Sequence, residues 1–535
     1  MNFPLSITIP SLAEAAQFSP EQVVEVVELA RNGHQLAAQL AQQVSQMQAQ
    51  LDWFKRQIFG QKSERRLFDG EGRQLSLGEV VTAETVAAAT RQVAAHSRRT
   101  QPAKAGDAGA ESLPFFDASR VPIETIALPA ETGDLAPEAY EIVSHKESYR
   151  LAQRPGSYVV LKYVRPVIKV RETNKLLCPP APQGVLEGSR ADVSFLAGLL
   201  IDKFAYHLPL YRQHQRLLDA GFTVSRPWLT QLVTQAAALL EPIYQAQLAS
   251  IAASRVKSMD ETPIKAGRAG AGKLKSSYFW PIYGEADELC FPWCESREAR
   301  HVLALLGEQP GTNAVLLTDG YTAYQRYAEK TGITHAQCWA HTRRKFFEAR
   351  ESEPIADKAL EMIGALYKVE AEIREQGLSG AEKRALRQER STGLVNDFFH
   401  WVNQTFERHG LLPSSKLTKA LAYARERRQG LSVFLDDPDV PIDTNHLERA
   451  LRPIPMGRKN WLFCWTELGA KQVGILQSLI ATCRLHDINP YDYLVDVLQR
   501  VGLHPAAQVA ELTPRLWKTH FAANPLRSPL DRSAA

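Results

Sequence analysis

Three acidic residues stand in short, distinctive segments that lie far apart in this chain of 535 residues. They are Asp260, Asp319 and Glu448. The separations are 59 and 129 residues, so no local motif can bring the three carboxylates together. Any site that uses all three must be assembled by the fold, which therefore has to bring distant segments to one place.

The two aspartates follow segments that predict β-strands. Residues 314–317 are an apolar run that ends at Thr318-Asp319-Gly320, a turn signal. Residues 255–259 alternate in polarity before Asp260, and Pro263 closes that segment soon afterwards. Both aspartates are therefore predicted to lie at the ends of strands.

Glu448 is predicted to lie on a short helix. Thr444 or Asn445 can cap its N-terminus, and Leu447 and Ala450 contribute to one apolar face. Magnesium prefers carboxylate oxygens, and two ions shared among three acids can grip a phosphate and an attacking oxygen together. Taken singly, each acid is more often a turn former or a helix cap. Together, they favour a nuclease-type site that cuts and joins DNA.

Longer strings around these acids resemble the insertion sequence 66 family of bacterial transposases. The strings occur at residues 59–65, 203–212, 338–347, 457–461 and 489–494. The resemblance implies an α+β multidomain protein with a ribonuclease-H-like α/β catalytic core that carries a helical insertion. It also implies a DDE triad, which falls on Asp260, Asp319 and Glu448 because each stands inside its matching motif.

The family implies metal-dependent hydrolysis that frees a 3′ hydroxyl at each element end, followed by attack of that hydroxyl on target DNA. Two Mg²⁺ or Mn²⁺ ions would be held by the triad, with Asp260 bridging both. The implied partners are the terminal repeats, target DNA, further copies of the chain and accessory proteins encoded by the same element. A catalytically silent DNA-binding relic or regulator stays open, because Thr444 stands where the family usually repeats asparagine.

Basic residues cluster beside the acids, although the net charge is only +4. A nucleic-acid surface must therefore be local. The residues predicted to contact DNA phosphates are Arg343, Arg344, Lys345, Arg449, Arg452, Arg458 and Lys459. The alternative for Arg449 and Arg452 is pairing with nearby acids on a solvated helix face.

A short Cys-x-x-His element follows the second aspartate. Related transposases carry a similar element there, so Cys338 and His341, with Asn445, are predicted at the periphery of the active site. A rival is a Cys₃His zinc site that adds Cys290 and Cys294. A proline between those two cysteines and the usual burial of free thiols argue against zinc.

The N-terminal half divides into four predicted segments. Residues 1–68 are predicted to be helical, with a heptad seam from Leu40 to Ile58. Such a seam is usually a buried amphipathic face, but the resembling family carries a leucine-zipper-like segment here, which implies self-association. Residues 69–125 predict a flexible linker and 126–190 a small β-rich module. The family commonly binds zinc in that module, but only Cys178 remains there. Residues 191–250 are predicted to be helical. They could form either a DNA-binding helix-turn-helix or a helical bundle that only packs against the core.

The catalytic core is predicted to be discontinuous. It comprises residues 251–349 and 437–500, separated by a helical insertion at 350–436 whose apolar residues repeat along one face. The insertion explains the long gap between Asp319 and Glu448. Residues 501–535 are predicted to be a disordered, proline-containing tail.

The sequence also bears on location. No apolar run approaches the roughly 18 residues that a membrane-spanning helix needs. The first basic residue is Arg31, so no secretory signal is expected. Six cysteines without a CxxC pair fit reduced thiols. We expect a bacterial cytoplasmic protein that associates with the nucleoid when bound to DNA.

Overall fold

The structure is a computed structural model. It describes Ser19 and residues 115–532, except 120, 131–135, 137–138, 155, 271–272, 408–411, 462–463 and 465. From residue 115 onward, these residues belong to one compact unit, Lys62–Ala535. The predicted zipper seam and residues 69–114 of the predicted linker lie outside the described residues.

A four-stranded sheet precedes the core. It contains β1 (Ile123–Ala127), β2 (Tyr140–Arg154), β3 (Ser157–Val170) and β4 (Leu176–Leu177), with β1 parallel to β3 and β2 antiparallel to it. Phe116 is buried and bridges to Phe222, although it falls in the stretch predicted as a linker. This end of that stretch is therefore packed against the rest of the protein.

Three helices follow: α1 (Val193–Phe204), α2 (Leu210–Asp219) and α3 (Arg226–Ala253). Most residues of α1 are buried, including Leu199 and Leu200, and α3 buries Leu229 and Leu232 in the same core. The side chain of Gln247 on α3 donates to the carbonyl of Leu289 at 2.8 Å. Helices α1 and α3 therefore serve as packing elements of the core.

The central sheet has five strands: β5 (Val256–Met259), β8 (Ile282–Gly284), β9 (Leu289–Cys290), β11 (Val315–Thr318) and β12 (Thr334–Gln337). Their order across the sheet is β12-β11-β5-β8-β9. Strands β5, β11 and β12 are parallel, whereas β5, β8 and β9 form an antiparallel meander. A second sheet consists of β6 (Thr262–Gly270), β7 (Lys273–Phe279) and β10 (Trp293–Cys294), in the order β10-β7-β6. Two helices, α4 (Ala299–Leu306) and α5 (Thr322–Thr331), connect the later strands.

Helices occupy the region of the predicted insertion. They pack around their own apolar cluster, which includes Trp339, Phe398 and Leu421 and continues onto Val315 and Leu317 of the central sheet. The helical segment therefore rests directly on one face of the strands that carry the aspartates. Its elements are α6 (Trp339–Ala349), α7 (Ala356–Glu375), α8 (Gly380–Leu386), a π-helical turn (Arg387–Ser391), α9 (Thr392–Phe406), α10 (Lys416–Glu426) and α11 (Arg428–Asp436).

The chain then returns to the core. Helix α14 is buried along most of its length, with Leu476, Leu479 and Ile480 inside the main apolar cluster. No helix among the described residues is long and apolar enough to span a membrane. The closing elements are α12 (Asn445–Leu451), α13 (Pro453–Trp461), α14 (Glu467–Leu485), α15 (Pro490–Arg500), a 3-10 helix (Ala506–Leu512), α16 (Pro514–His520) and α17 (Pro529–Arg532).

The prediction of a disordered tail is wrong for residues 501–532. Trp517 is buried, and its indole N–H donates to Asp496 Oδ1 at 3.0 Å. Ser528 Oγ donates to Asp192 Oδ1 at 2.6 Å, next to the fully buried Leu530. The segment is ordered because its few apolar side chains fill the core and its polar groups satisfy buried carboxylates.

Candidate active site

The two aspartates lie side by side at the ends of neighbouring parallel strands. Leu317 on β11 pairs with Ser258 on β5, so Asp260 and Asp319 leave the sheet at the same edge. Oxygens of Asp260, Asp319 and Glu261 all lie within 4.8 Å of one another. Within the described part of the chain, no other group of three or more acids, histidines or cysteines lies close enough together to hold a metal ion.

The backbone around Asp319 is held by the helical insertion. Tyr321 donates its backbone N–H to Asp319 Oδ1 at 2.9 Å, and the Tyr423 hydroxyl donates to the Asp319 carbonyl. Arg427 stacks 3.9 Å from the Tyr423 ring centre and donates to the Gly320 carbonyl at 3.2 Å. Gly320 has φ +90°, and a Cβ there would clash with Arg427 Nε. Glycine is therefore required at this turn.

Glu261 was missed by the sequence analysis. Its carboxylate is almost fully buried, with Oε1 bound by Arg297 and Oε2 accepting from the Tyr324 hydroxyl at 2.7 Å. The residue lies in the turn between β5 and β6, where side-chain alternation stops, so it can face the same space as Asp260. The available signal was the pair of adjacent acids at a predicted strand end.

Glu448 lies in the first turn of α12, as predicted for a helix. It is 42% exposed and stands outside the group of acids whose oxygens lie within 4.8 Å. Its Oε1 is 3.7 Å from His341 Nε2, and its charge helps to raise the pKa of Asp260. Asp260, Asp319 and Glu448 therefore share one electrostatic environment, although only the aspartates share the tight cluster.

The N-terminus of α12 is fixed by Cys338 and Asp443. Thr444 donates to Cys338 Sγ from both its backbone N–H and its hydroxyl, each at 3.3 Å. Asp443 Oδ1 accepts from the Asn445 N–H at 3.0 Å. Thr444 thus ties the helix of Glu448 to the helix of His341.

Burial and like charges weaken the ionisation of the central acid. Burial first, and then the charges of Glu261, Asp319 and Glu448, raise the pKa of Asp260 to about 7. The Glu261 N–H, which donates to Asp260 Oδ1 at 2.7 Å, acts in the opposite direction. Burial also raises the pKa of Glu261, against Tyr324 and Arg297. The acids therefore repel one another in the absence of a cation.

This repulsion predicts a pH-dependent stability. The folded metal-free protein binds a proton at Asp260 more tightly than the unfolded chain, whose value is near 3.8. The resulting stabilisation is complete below that value and is lost as pH rises through about 7. In EDTA, we expect the free energy of unfolding of the wild type to fall by about 2 kcal/mol between pH 5.5 and 8 through this group. In Asp260→Asn this decrease should be absent. Urea titrations would check this, and parallel curves for both proteins would contradict it.

The two residues of the Cys-x-x-His element have different surroundings. His341 faces Glu448, whereas Cys338 is buried and burial raises the pKa of its thiol to about 11. Cys290 and Cys294 are also buried free thiols. Among the described residues, none of the three cysteines belongs to a group of three or more potential metal ligands. The rival Cys₃His site is therefore not assembled.

The predicted DNA-contacting residues lie on three helices around the acids. Helix α6 exposes Arg343, Arg344 and Lys345, and Arg449, Arg452 and Lys459 are exposed near Glu448. Arg458 is half-buried and donates to the Pro263 carbonyl. Within the described ranges, no acid lies within 4.0 Å of Arg449 or Arg452 in an ion pair. Both guanidinium groups are therefore available to an external anion.

The exposed arginines of α6 provide a test for phosphate contact. If Arg344 binds one phosphate, Arg344→Gln should weaken DNA binding and reduce the slope of log K against log salt by about 0.9. Fluorescence anisotropy over a salt series measures this slope. The matched control is Arg350→Gln, because Arg350 already lies 3.5 Å from Asp357. Equal slopes for the wild type and Arg344→Gln would show that Arg344 contacts no phosphate.

A carboxylate cluster at the end of a mixed sheet, flanked by exposed arginines, is the arrangement expected of an enzyme that acts on phosphodiesters. The family model described as Transposase IS66 family matches residues 188–472. Models described as IS66 C-terminal element and as Transposase C of IS166 homeodomain match residues 478–515 and 46–114. The chain belongs to the IS66 transposase family, which confirms the resemblance and implies a DNA-processing enzyme.

Similar proteins extend over nearly the whole chain. The chain is 31% identical over 520 residues to uncharacterized protein y4hP of Sinorhizobium fredii, with 89% of each chain covered. It is 30% identical over 503 residues to uncharacterized protein y4jD of the same organism, with 90% of this chain and 96% of that protein covered. The likeness therefore extends over about nine tenths of the chain.

Proposed function

We propose that this protein is a DDE transposase of an insertion sequence, with Asp260, Asp319 and Glu448 as its catalytic acids. It would cleave at the element ends to free 3′ hydroxyls and transfer those strands into target DNA. The observation that carries the proposal is that Asp260 and Asp319, 59 residues apart in sequence, meet at one edge of the central sheet, where the charge of Glu448 also acts on Asp260. Membership of the transposase family gives that convergence its substrate.

The sheet supports a ribonuclease-H-like core. An antiparallel meander of β5, β8 and β9 continues into the parallel strands β11 and β12, and the acids follow its first and fourth strands, β5 and β11. Glu448 then comes from a helix after the insertion. This order places two acids on rigid strand ends and leaves the third on a separately anchored helix.

The donor set fits divalent magnesium or manganese. All the facing ligands are carboxylates, which such hard cations prefer, and burial together with the charges of the neighbouring acids raises the pKa of Asp260. Asp260, Asp319 and Glu448 would hold the ions. When bound, the ions would supply an activated oxygen and neutralise the charge of the leaving oxygen.

The surrounding side chains would orient the acids and the DNA. His341 is positioned to orient the Glu448 carboxylate, and Tyr423 and Arg427 restrain the turn of Asp319. Exposed arginines of α6 and α12 would hold backbone phosphates, as their lack of acid partners in the described ranges supports. We place the reaction in the cytoplasm, on nucleoid DNA, which all six free thiols support. Homo-oligomers and accessory proteins of the element belong to the same proposal.

One observation favours a second candidate, a catalytically silent DNA-binding relic or regulator. Glu448 is 42% exposed and lies outside the tight acid cluster. A protein that kept its DNA-binding surface but no longer closed Glu448 onto the metal site would show this arrangement. The two candidates differ in cleavage and not in binding.

Cleavage of labelled DNA tests the proposal. The substrate carries the element ends that flank the gene, and the reaction contains Mg²⁺ or Mn²⁺. Metal-dependent nicks at the ends that are absent with Asp319→Ala would support an active transposase. Binding without nicking, also after addition of the accessory proteins of the element, would favour the relic.

A further inference from the structure

A second site lies beside the acid cluster, in an open pocket of about 380 Å³ between the starts of α4 and α5. We infer that this pocket holds a backbone phosphate of the DNA strand that enters the acid cluster, with Arg326 as its cationic ligand. The inference rests on the proposed function for the identity of its ligand. The pocket is lined by Arg297, Arg300, Arg326, Glu298 and the first residues of α4 and α5.

The charge of the lining favours an anion. Three arginines face one glutamate, but they are not equivalent. Arg300 is already paired with Glu295 at 2.5 Å and Glu298 at 3.0 Å. Arg326 is exposed, and within the described ranges it forms no ion pair. Arg326 is therefore the cation that a bound phosphate would neutralise.

Backbone donors add to the arginine charge. The pocket is lined by the first residues of α4 and α5, and neither helix has a side-chain hydrogen bond capping its N-terminus. The free N–H groups of a helix start attract negative oxygens. Two such starts on one cationic pocket suit a group with several charged oxygens, as a phosphodiester has.

The pocket is physically connected to the acids. Arg297 binds the Glu261 carboxylate through Nε at 2.8 Å and stacks 4.0 Å from the centre of the Tyr321 ring. Tyr321 in turn donates its N–H to Asp319 Oδ1. Two residues that line the pocket, Arg297 and Tyr321, therefore directly contact two members of the acid cluster, Glu261 and Asp319.

A neutral-linkage scan tests the inference. Duplexes carry one element end in which single phosphates are replaced, one at a time, by uncharged methylphosphonates. Binding is measured by fluorescence anisotropy with Ca²⁺ present to neutralise the acids. For the wild type, we expect one linkage or two adjacent ones at which the replacement weakens binding by about three- to tenfold. Arg326→Gln should bind unmodified DNA more weakly by a similar factor and lose nothing further at that linkage.

Two variants make the scan specific. Arg326→Lys keeps the charge and should retain most of the affinity, whereas Lys330→Gln removes a cation from the same helix that is already paired with Glu308 at 2.9 Å. Lys330→Gln should behave as the wild type does. Wild-type affinity of Arg326→Gln, or an undiminished penalty at the same linkage, would overturn the inference. The scan measures DNA binding alone. A failure of cleavage would therefore contradict the proposed function without changing the binding penalty measured at a single linkage.

Discussion

Asp260→Asn and Glu448→Gln should each abolish strand cleavage, by on the order of 10³-fold or more, while DNA binding stays within about twofold. Each substitution removes a negatively charged ligand and leaves every exposed arginine in place. Asp260 interacts with the other acids of the site, so Asp260→Asn would remove the charge that would hold the metal ions there. Cleavage of end-labelled DNA and anisotropy on the same substrate measure the two quantities.

The matched control is Glu308→Gln, which removes an exposed carboxylate that only pairs with Lys330. It should cleave as the wild type does. Persistent cleavage in Asp260→Asn would contradict the assignment of the triad. Glu261→Gln separates two versions of the site, because Glu261 is the third member of the tight group. Loss of cleavage in Glu261→Gln with retention in Glu448→Gln would transfer the third catalytic position to Glu261.

The strand ends could be predicted from the sequence because their signals are local. The apolar run before Thr318-Asp319-Gly320 and the glycine in the turn specify where β11 stops, and the structure ends this strand at Thr318. The start of the Glu448 helix is equally local, and α12 begins at Asn445, but the side chain of the N-cap residue Thr444 donates to Cys338 Sγ and makes no capping hydrogen bond. These features placed Asp260, Asp319 and Glu448 on the correct kinds of element before any contact was known.

Long-range contacts could not be predicted in the same way. Tyr423 reaches the Asp319 carbonyl across 104 positions of sequence, and Tyr324 reaches Glu261 across 63. Nothing in the local pattern of either tyrosine distinguishes it from an ordinary core residue. The prediction of a disordered tail was wrong for a related reason. The composition of this segment resembles that of a linker, and only its contacts with Asp496 and Asp192 reveal that it is packed.

The helical insertion depends on one buried ion pair. Arg387 is fully buried on the π-helical turn, and it binds both oxygens of Glu370, at 2.8 and 2.9 Å. Its remaining Nη1 group donates to the carbonyls of Phe434 at 2.8 Å, Val440 at 3.0 Å and Asp437 at 3.3 Å. This single guanidinium therefore joins α7, the π-helical turn and the end of α11.

Arg387→Met should lower the free energy of unfolding by about 3–5 kcal/mol, because it leaves Glu370 buried and unpaired together with three carbonyls. Urea unfolding measures the loss. Arg390→Gln is the control on the same turn: its partner Glu372 is partly exposed, so the loss should stay within about 1 kcal/mol. Equal losses in the two variants would show that the buried pair has no special role. Since Tyr423 and Arg427 reach the Asp319 turn from this same insertion, a loosened insertion should also reduce cleavage before the protein unfolds.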